Sequence, residues 1–148
     1  MAETLTVKIT ENLEVQGQTV SDTITKEIGG VESVYNAKVV LTSTSATNNY
    51  IYNSAASYGV GNGDMLSSIV YIRITNLDDN YTISLNINNG ESYVFLDPSE
   101  SFIMFKADGA WADGSSSNAA PLSGDLNNIE ANPPGAAEIY MASTGSTD

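Results

Sequence analysis

Between Ser68 and Ile87 apolar side chains fall on every second position. Val70, Ile72 and Ile74 come first; after Leu77-Asp78-Asp79-Asn80 the alternation resumes with Tyr81, Ile83, Leu85 and Ile87. A period of two belongs to a strand with one buried face, whereas a helix would repeat apolar residues at i, i+3 and i+4. A sheet can bury its apolar face only against a second layer, so a chain built from such runs is confined to a sandwich or a barrel. The same alternation opens the chain, where Leu5, Val7 and Ile9 are interleaved with Thr6, Lys8 and Thr10. It returns at residues 20–28, with Val20, Ile24 and Ile28 on one parity.

The rest of the chain extends this pattern. Gly29-Gly30 predicts a break, and residues 34–44 a third strand centred on Val39-Val40-Leu41. Residues 68–76 and 81–87 read as a β-hairpin across the turn at 77–80. Asn88-Asn89-Gly90 turns the chain before a strand at 93–96. Asp97-Pro98-Ser99-Glu100 is a second turn, with proline at its favoured second position. Residues 102–105 are apolar on both faces, which predicts a strand central in a sheet. Residues 125–131, carrying Leu126 and Ile129, predict one helical turn, and 137–142 a final strand. Two loops stand out: 48–63, punctuated by Gly59, Gly61, Asn62 and Gly63, and the small-residue segment 108–124. Residues 143–148 read as a polar tail. The expectation is a single all-β domain over 1–148, with about eight strands and at most one short helical turn. Its architecture is an antiparallel β-sandwich or a jelly-roll-like barrel.

Composition narrows the function. The 148 residues include no cysteine and no histidine. A disulfide scaffold, a thiolate metal site and the commonest general base are therefore excluded together. The net charge is −13, and the five basic residues, Lys8, Lys26, Lys38, Arg73 and Lys106, are scattered singly. Nucleic acid and anionic membrane surfaces would be repelled by such a chain. The N-terminus lacks the basic start and apolar run of a signal peptide. The expected place of synthesis is thus the cytoplasm, with no nucleic-acid or membrane partner.

Chemistry-bearing residues are few. Asp78, Asp79, Asp108 and Asp113 could pair as catalytic carboxylates or supply oxygen ligands to calcium. All four lie in turn-rich segments that favour aspartate for backbone reasons, and no EF-hand spacing is present. The reading from the residues is a non-enzyme without a cofactor. Trp111, flanked by small residues, and the loop tyrosines Tyr50, Tyr52 and Tyr58 are the candidates for protein contact or for stacking on a sugar. Asn80-Tyr81-Thr82 matches the glycosylation acceptor pattern by chance, given the missing secretory signal.

The block Arg73-Ile74-Thr75-Asn76-Leu77-Asp78, followed by Leu96-Asp97-Pro98-Ser99-Glu100-Ser101-Phe102 and closed by Glu138-Ile139-Tyr140-Met141-Ala142, resembles small β-rich virion proteins of tailed, marine-type bacteriophages. In those, an "RITNLD"-like turn precedes an "L-x-P-G-E-S-F"-like turn; Ser99 stands here where glycine is usual. The likeness covers about half the chain, roughly residues 68–106 and 136–143. It implies a structural subunit of the virion, a capsid decoration or a head or tail accessory, that binds other virion proteins. It implies no catalytic residue. Independently, threonine- and tyrosine-rich strands of low charge can pair edge to edge in a ring of subunits, so a homo-oligomer is expected. The alternative is a carbohydrate-binding adhesion module, calcium-dependent or not, resting on Trp111, the tyrosines and the loop aspartates.

Overall fold

The computed structural model describes residues 3–41, 50–53, 68–87, 92–105 and 128–146. They form ten antiparallel strands and, among the described residues, no helix: β1 (Glu3–Val15), β2 (Gln18–Val31), β3 (Ser33–Leu41), β4 (Tyr50–Asn53), β5 (Ser68–Asn76), β6 (Ile83–Ile87), β7 (Ser92–Leu96), β8 (Ser101–Phe105), β9 (Asn128–Asn132) and β10 (Ala137–Ser146). Strands β3 to β10 make two four-stranded sheets, in the orders β3-β10-β5-β8 and β4-β9-β6-β7. The pairing is nested: β3 with β10, β4 with β9, β5 with β8 and β6 with β7. A nested ladder folded over on itself, with β5–β10 and β6–β9 closing each sheet, is a jelly-roll sandwich. Strands β1 and β2 stand apart as a two-stranded hairpin.

Alternation decides which side chains meet between the sheets. Leu41, Ile72, Ile74 and Ile139 from one sheet and Ile83, Leu85, Ile87, Ile129 and Ala131 from the other are fully buried. Each buried Leu or Ile contributes about 1.5–3 kcal/mol relative to exposure, and all of these residues belong to one cluster.

Several expectations are corrected by this topology. Residues 68–76 and 81–87 do not form a hairpin. Strand β5 pairs with β10 and β8, whereas β6 pairs with β7 and β9, so residues 77–82 cross from one sheet to the other. Both strands carry fully buried isoleucines, and a crossing lets those faces oppose one another across the core. Strand β8 lies at the edge of its sheet instead of at its centre. It is apolar on both faces because Phe102 and Met104 pack on the core while Phe105, opposite Tyr71, packs its ring 5.6 Å from the Tyr71 ring on the outer face. The helical turn expected at 125–131 is replaced, in its described part, by β9, whose Ile129 and Ala131 alternate into the core between β4 and β6. The loop expected at 48–63 contains β4, because Ile51 and Tyr52 are core residues. The polar tail begins inside β10, where Ser143 is buried. Gly29-Gly30 does not end β2, which runs on to Val31 with Gly30 at φ 75°.

One residue ties two of the inter-sheet crossings together. Asn76, fully buried, ends β5 beside the turn at 97–100, which also passes between sheets. Its Nδ2 donates to Tyr81 O at 2.8 Å and to Leu96 O at 3.0 Å, and its Oδ1 accepts from Asp78 N at 2.9 Å. Its backbone N donates to Glu100 O at 2.9 Å, and its carbonyl accepts from Ser99 N at 3.2 Å. The 97–100 turn closes by Glu100 N donating to Asp97 O at 3.0 Å, with Ser99 at φ 68° in its third position. That is the type II position, which favours glycine.

Candidate interaction surfaces

Three surfaces bring exposed or chemically distinctive residues together. The first is the β1–β2 hairpin. Its connection, Gln16-Gly17, has φ 51° and 78°, the two positive values of a type I′ turn that matches strand twist. Cross-strand partners share a face. One face therefore carries Leu5/Ile28, Val7/Lys26, Ile9/Ile24, Glu11/Asp22, Leu13/Val20 and Val15/Gln18. The other is polar and threonine-rich, with the Thr10 and Thr23 hydroxyls 3.2 Å apart and Ser21 donating to Asn12 Oδ1 at 2.8 Å. The root of the apolar face is partly covered: Leu5, Val7, Ile9 and Ile28 are half-buried. The tip is open, with Leu13 58%, Val15 50%, Val20 61% and Ile24 56% exposed. A strand pair of this length extends about 40 Å, and its outer half is an arm with an uncovered apolar face.

The second surface is the outer face of the β3-β10-β5-β8 sheet. Between it and the root of the arm runs a groove of about 410 Å³, lined by Leu5, Val7, Lys8, Tyr71, Arg73 and Tyr140 among others. The Arg73 guanidinium carbon stands 5.3 Å from the centre of the Tyr140 ring, a cation–π contact, while its Nε is buried without a hydrogen-bond partner. Burial pushes the Tyr71 phenol above its ordinary pKa; the neighbouring Arg73 charge pulls the other way, and Tyr140 adds to the rise. Val34, at the groove, is 63% exposed; farther along this face Lys38 pairs with Glu138, and Val40 is 61% exposed.

The third surface is the outer face of the β4-β9-β6-β7 sheet. Tyr93 and Phe95 stand exposed two residues apart on edge strand β7. Opposite them, in register, are Asn86 and Ser84, then Glu130 and Asn132. Asn86 Nδ2 donates to Glu130 Oε2 at 3.1 Å, and Asn86 Oδ1 is buried without a partner. Tyr50 continues the row beyond Glu130.

Of the residues singled out from sequence, Tyr50 lies on this third surface. Tyr52 does not: it pairs with Ile129 on the inner side, is 4% exposed and belongs to the core. The alternation of a four-residue strand inside a tyrosine-rich segment gave no signal for that inward turn. Asp78 caps its own loop, its Oδ1 accepting from Asn80 N at 2.8 Å and Tyr81 N at 2.9 Å, and Asp79 is exposed beside it. No group of three acidic side chains that could hold a metal occurs among the described residues. Tyr58, Asp108, Trp111 and Asp113 lie outside the described residues. Sequence reasoning missed Tyr93, Phe95 and the arm face. The alternation that revealed their strands is indifferent to whether a face is later covered.

No protein-family model matches the chain, and neither a curated protein nor a solved structure matches it.

Proposed function

We propose that this chain is a non-enzymatic structural subunit of a tailed-phage virion, attached to other virion proteins as a capsid decoration or a head or tail accessory. The observation that carries the assembly part of this reading is the arm. A hairpin whose tip leaves Leu13, Val15, Val20 and Ile24 at least half exposed offers an apolar surface to another molecule. The virion context comes from the resemblance of the 68–106 block. Double-sheet jelly rolls are also used by viral capsid proteins, a likeness of fold alone. The acidic surface suits an abundant subunit that must stay dispersed until it docks. Mass spectrometry and immunogold labelling of gradient-purified particles from the encoding phage test the proposal. The protein is expected in the particles at many copies; its presence in infected cells with absence from purified particles would sink the idea.

A second reading is favoured by the third surface. Two exposed aromatic side chains share a sheet face with an amide, a carboxylate and a serine hydroxyl, a set of groups that can stack on a pyranose and hydrogen-bond its hydroxyls. Lectins share the jelly-roll architecture. Binding on a glycan array that disappears in Phe95→Ala and Tyr93→Ala would establish it; an array silent for the wild-type protein, with and without calcium, dismisses it.

A further inference from the structure

The charges of this protein are unevenly placed. Among the described residues every cation lies on the arm or on the outer face of the β3-β10-β5-β8 sheet: Lys8 and Lys26 on the arm, Lys38 and Arg73 on the sheet. Along its strands that sheet face carries Lys38, Arg73 and one carboxylate, Glu138, a net of +1 (two cations less one anion) on a chain of −13; Glu138 already pairs with Lys38, and Asp78 and Asp79 flank Val40 at one end of the face. The open tip of the arm carries the opposite pattern. Glu11 and Asp22 face each other across the strands, between the Ile9/Ile24 and Leu13/Val20 pairs. Two carboxylates so placed repel one another and are unfavourable for the hairpin itself.

We propose that the arm tip, through Leu13, Val15, Val20 and Ile24, docks on the outer face of the β3-β10-β5-β8 sheet of a second copy of this chain, where Glu11 and Asp22 meet Lys38 and Arg73. The inference deepens the assembly reading above and rests on it. Val34 and Val40 on the sheet are as exposed as the valines of the arm, although Val34 and Arg73 also line the groove under the root of the chain's own arm. The arm therefore does not cover its own sheet beyond the root. The dimensions agree: six residue steps separate Ile9 from Val15 along the arm and Val34 from Val40 along β3, about 20 Å in each case. The second copy's cations relieve the Glu11–Asp22 repulsion that the isolated arm must bear, and valines on both sides supply apolar area. A contact between two different patches of one chain closes either as a reciprocal exchange of arms or as a ring.

Sedimentation velocity over a concentration series tests this, using the full chain and two reciprocal charge variants, Glu11→Lys/Asp22→Lys and Lys38→Glu/Arg73→Glu. The wild-type protein is expected to self-associate. Each variant alone is expected to sediment as a monomer or to associate roughly tenfold more weakly or worse. An equimolar mixture restores association, because the basic arm of one variant then fits the acidic face of the other. Replacing Arg73 could disturb the groove, so Val40→Asp, at an exposed position, provides an independent block of the same face; circular dichroism confirms that each variant folds. Wild-type protein that stays monomeric throughout would overturn the contact, as would charge variants that associate as well as wild type. Monomeric protein that is nevertheless present in purified virions refutes this contact and leaves the assembly reading standing. Self-association without presence in particles does the reverse.

Discussion

Asn76 shows how much a single polar side chain can hold when it is buried and fully partnered. Its amide closes two inter-sheet crossings through Tyr81 O, Leu96 O and Asp78 N, while its backbone binds the neighbouring turn. Truncation removes three hydrogen bonds and strands two buried or half-buried carbonyls. Asn76→Ala is therefore expected to cost about 2–4 kcal/mol, read as a fall in the denaturant midpoint. A loss below about 1 kcal/mol would mean that the crossings hold without it. Ser99 carries the opposite prediction. Its φ of 68° is one that glycine adopts without strain, and its side chain is exposed. Ser99→Gly should leave stability unchanged or raise it by up to about 1 kcal/mol, strain relief offsetting the extra chain entropy of glycine. Substitution by valine, branched at Cβ, should destabilise in the same assay.

At the scale of the element, the arm and the sandwich obey the same pattern and reach different ends. Both alternate apolar and polar residues, yet β6 buries its apolar positions completely and the outer half of the arm buries none. No arm-tip residue belongs to the core cluster. Excising residues 10–23 and joining the stumps with a short turn is expected to shift global stability by no more than about 0.5 kcal/mol. The same excision should abolish self-association. A large drop in melting temperature would show instead that the arm supports the sandwich.

For the whole molecule, nesting makes the first sandwich strand depend on the last. Strand β10 lies between β3 and β5 and pairs with both along most of its length. Ending the chain before Ala137 would expose two strand edges and remove Ile139 and Met141 from the core. The truncated protein is expected to be insoluble or unfolded, which expression and circular dichroism would reveal. The same long-range pairing predicts slow folding of the intact chain, in milliseconds to seconds, by stopped-flow refolding. Microsecond relaxation would contradict a transition state that must first bring β3 and β10 together.

The sequence by itself determined that the described chain is all-β, with most strand positions set by the two-residue period and the turn at 97–100 marked by Asp97-Pro98; the turn expected at Asn88-Asn89-Gly90 lies outside the described residues. Those signals are local: a residue's parity and its immediate neighbours suffice to read them. Partner choice was not legible. Residues 77–82 look the same whether they join neighbouring strands or bridge two sheets, and only the demand that Ile72 and Ile74 face Ile83 and Leu85 across a shared core decides it. Strand β9 reads as a helical turn until β4 and β6 flank it. The candidate surfaces follow the same rule. Alternation placed Val20 and Tyr93 on strands, but which faces remain open is settled by how many layers the tertiary structure stacks, and among the described residues this one leaves Leu13 and Val20 on the arm tip, Val34 and Val40 on one outer sheet face and Tyr93 and Phe95 on the other exposed.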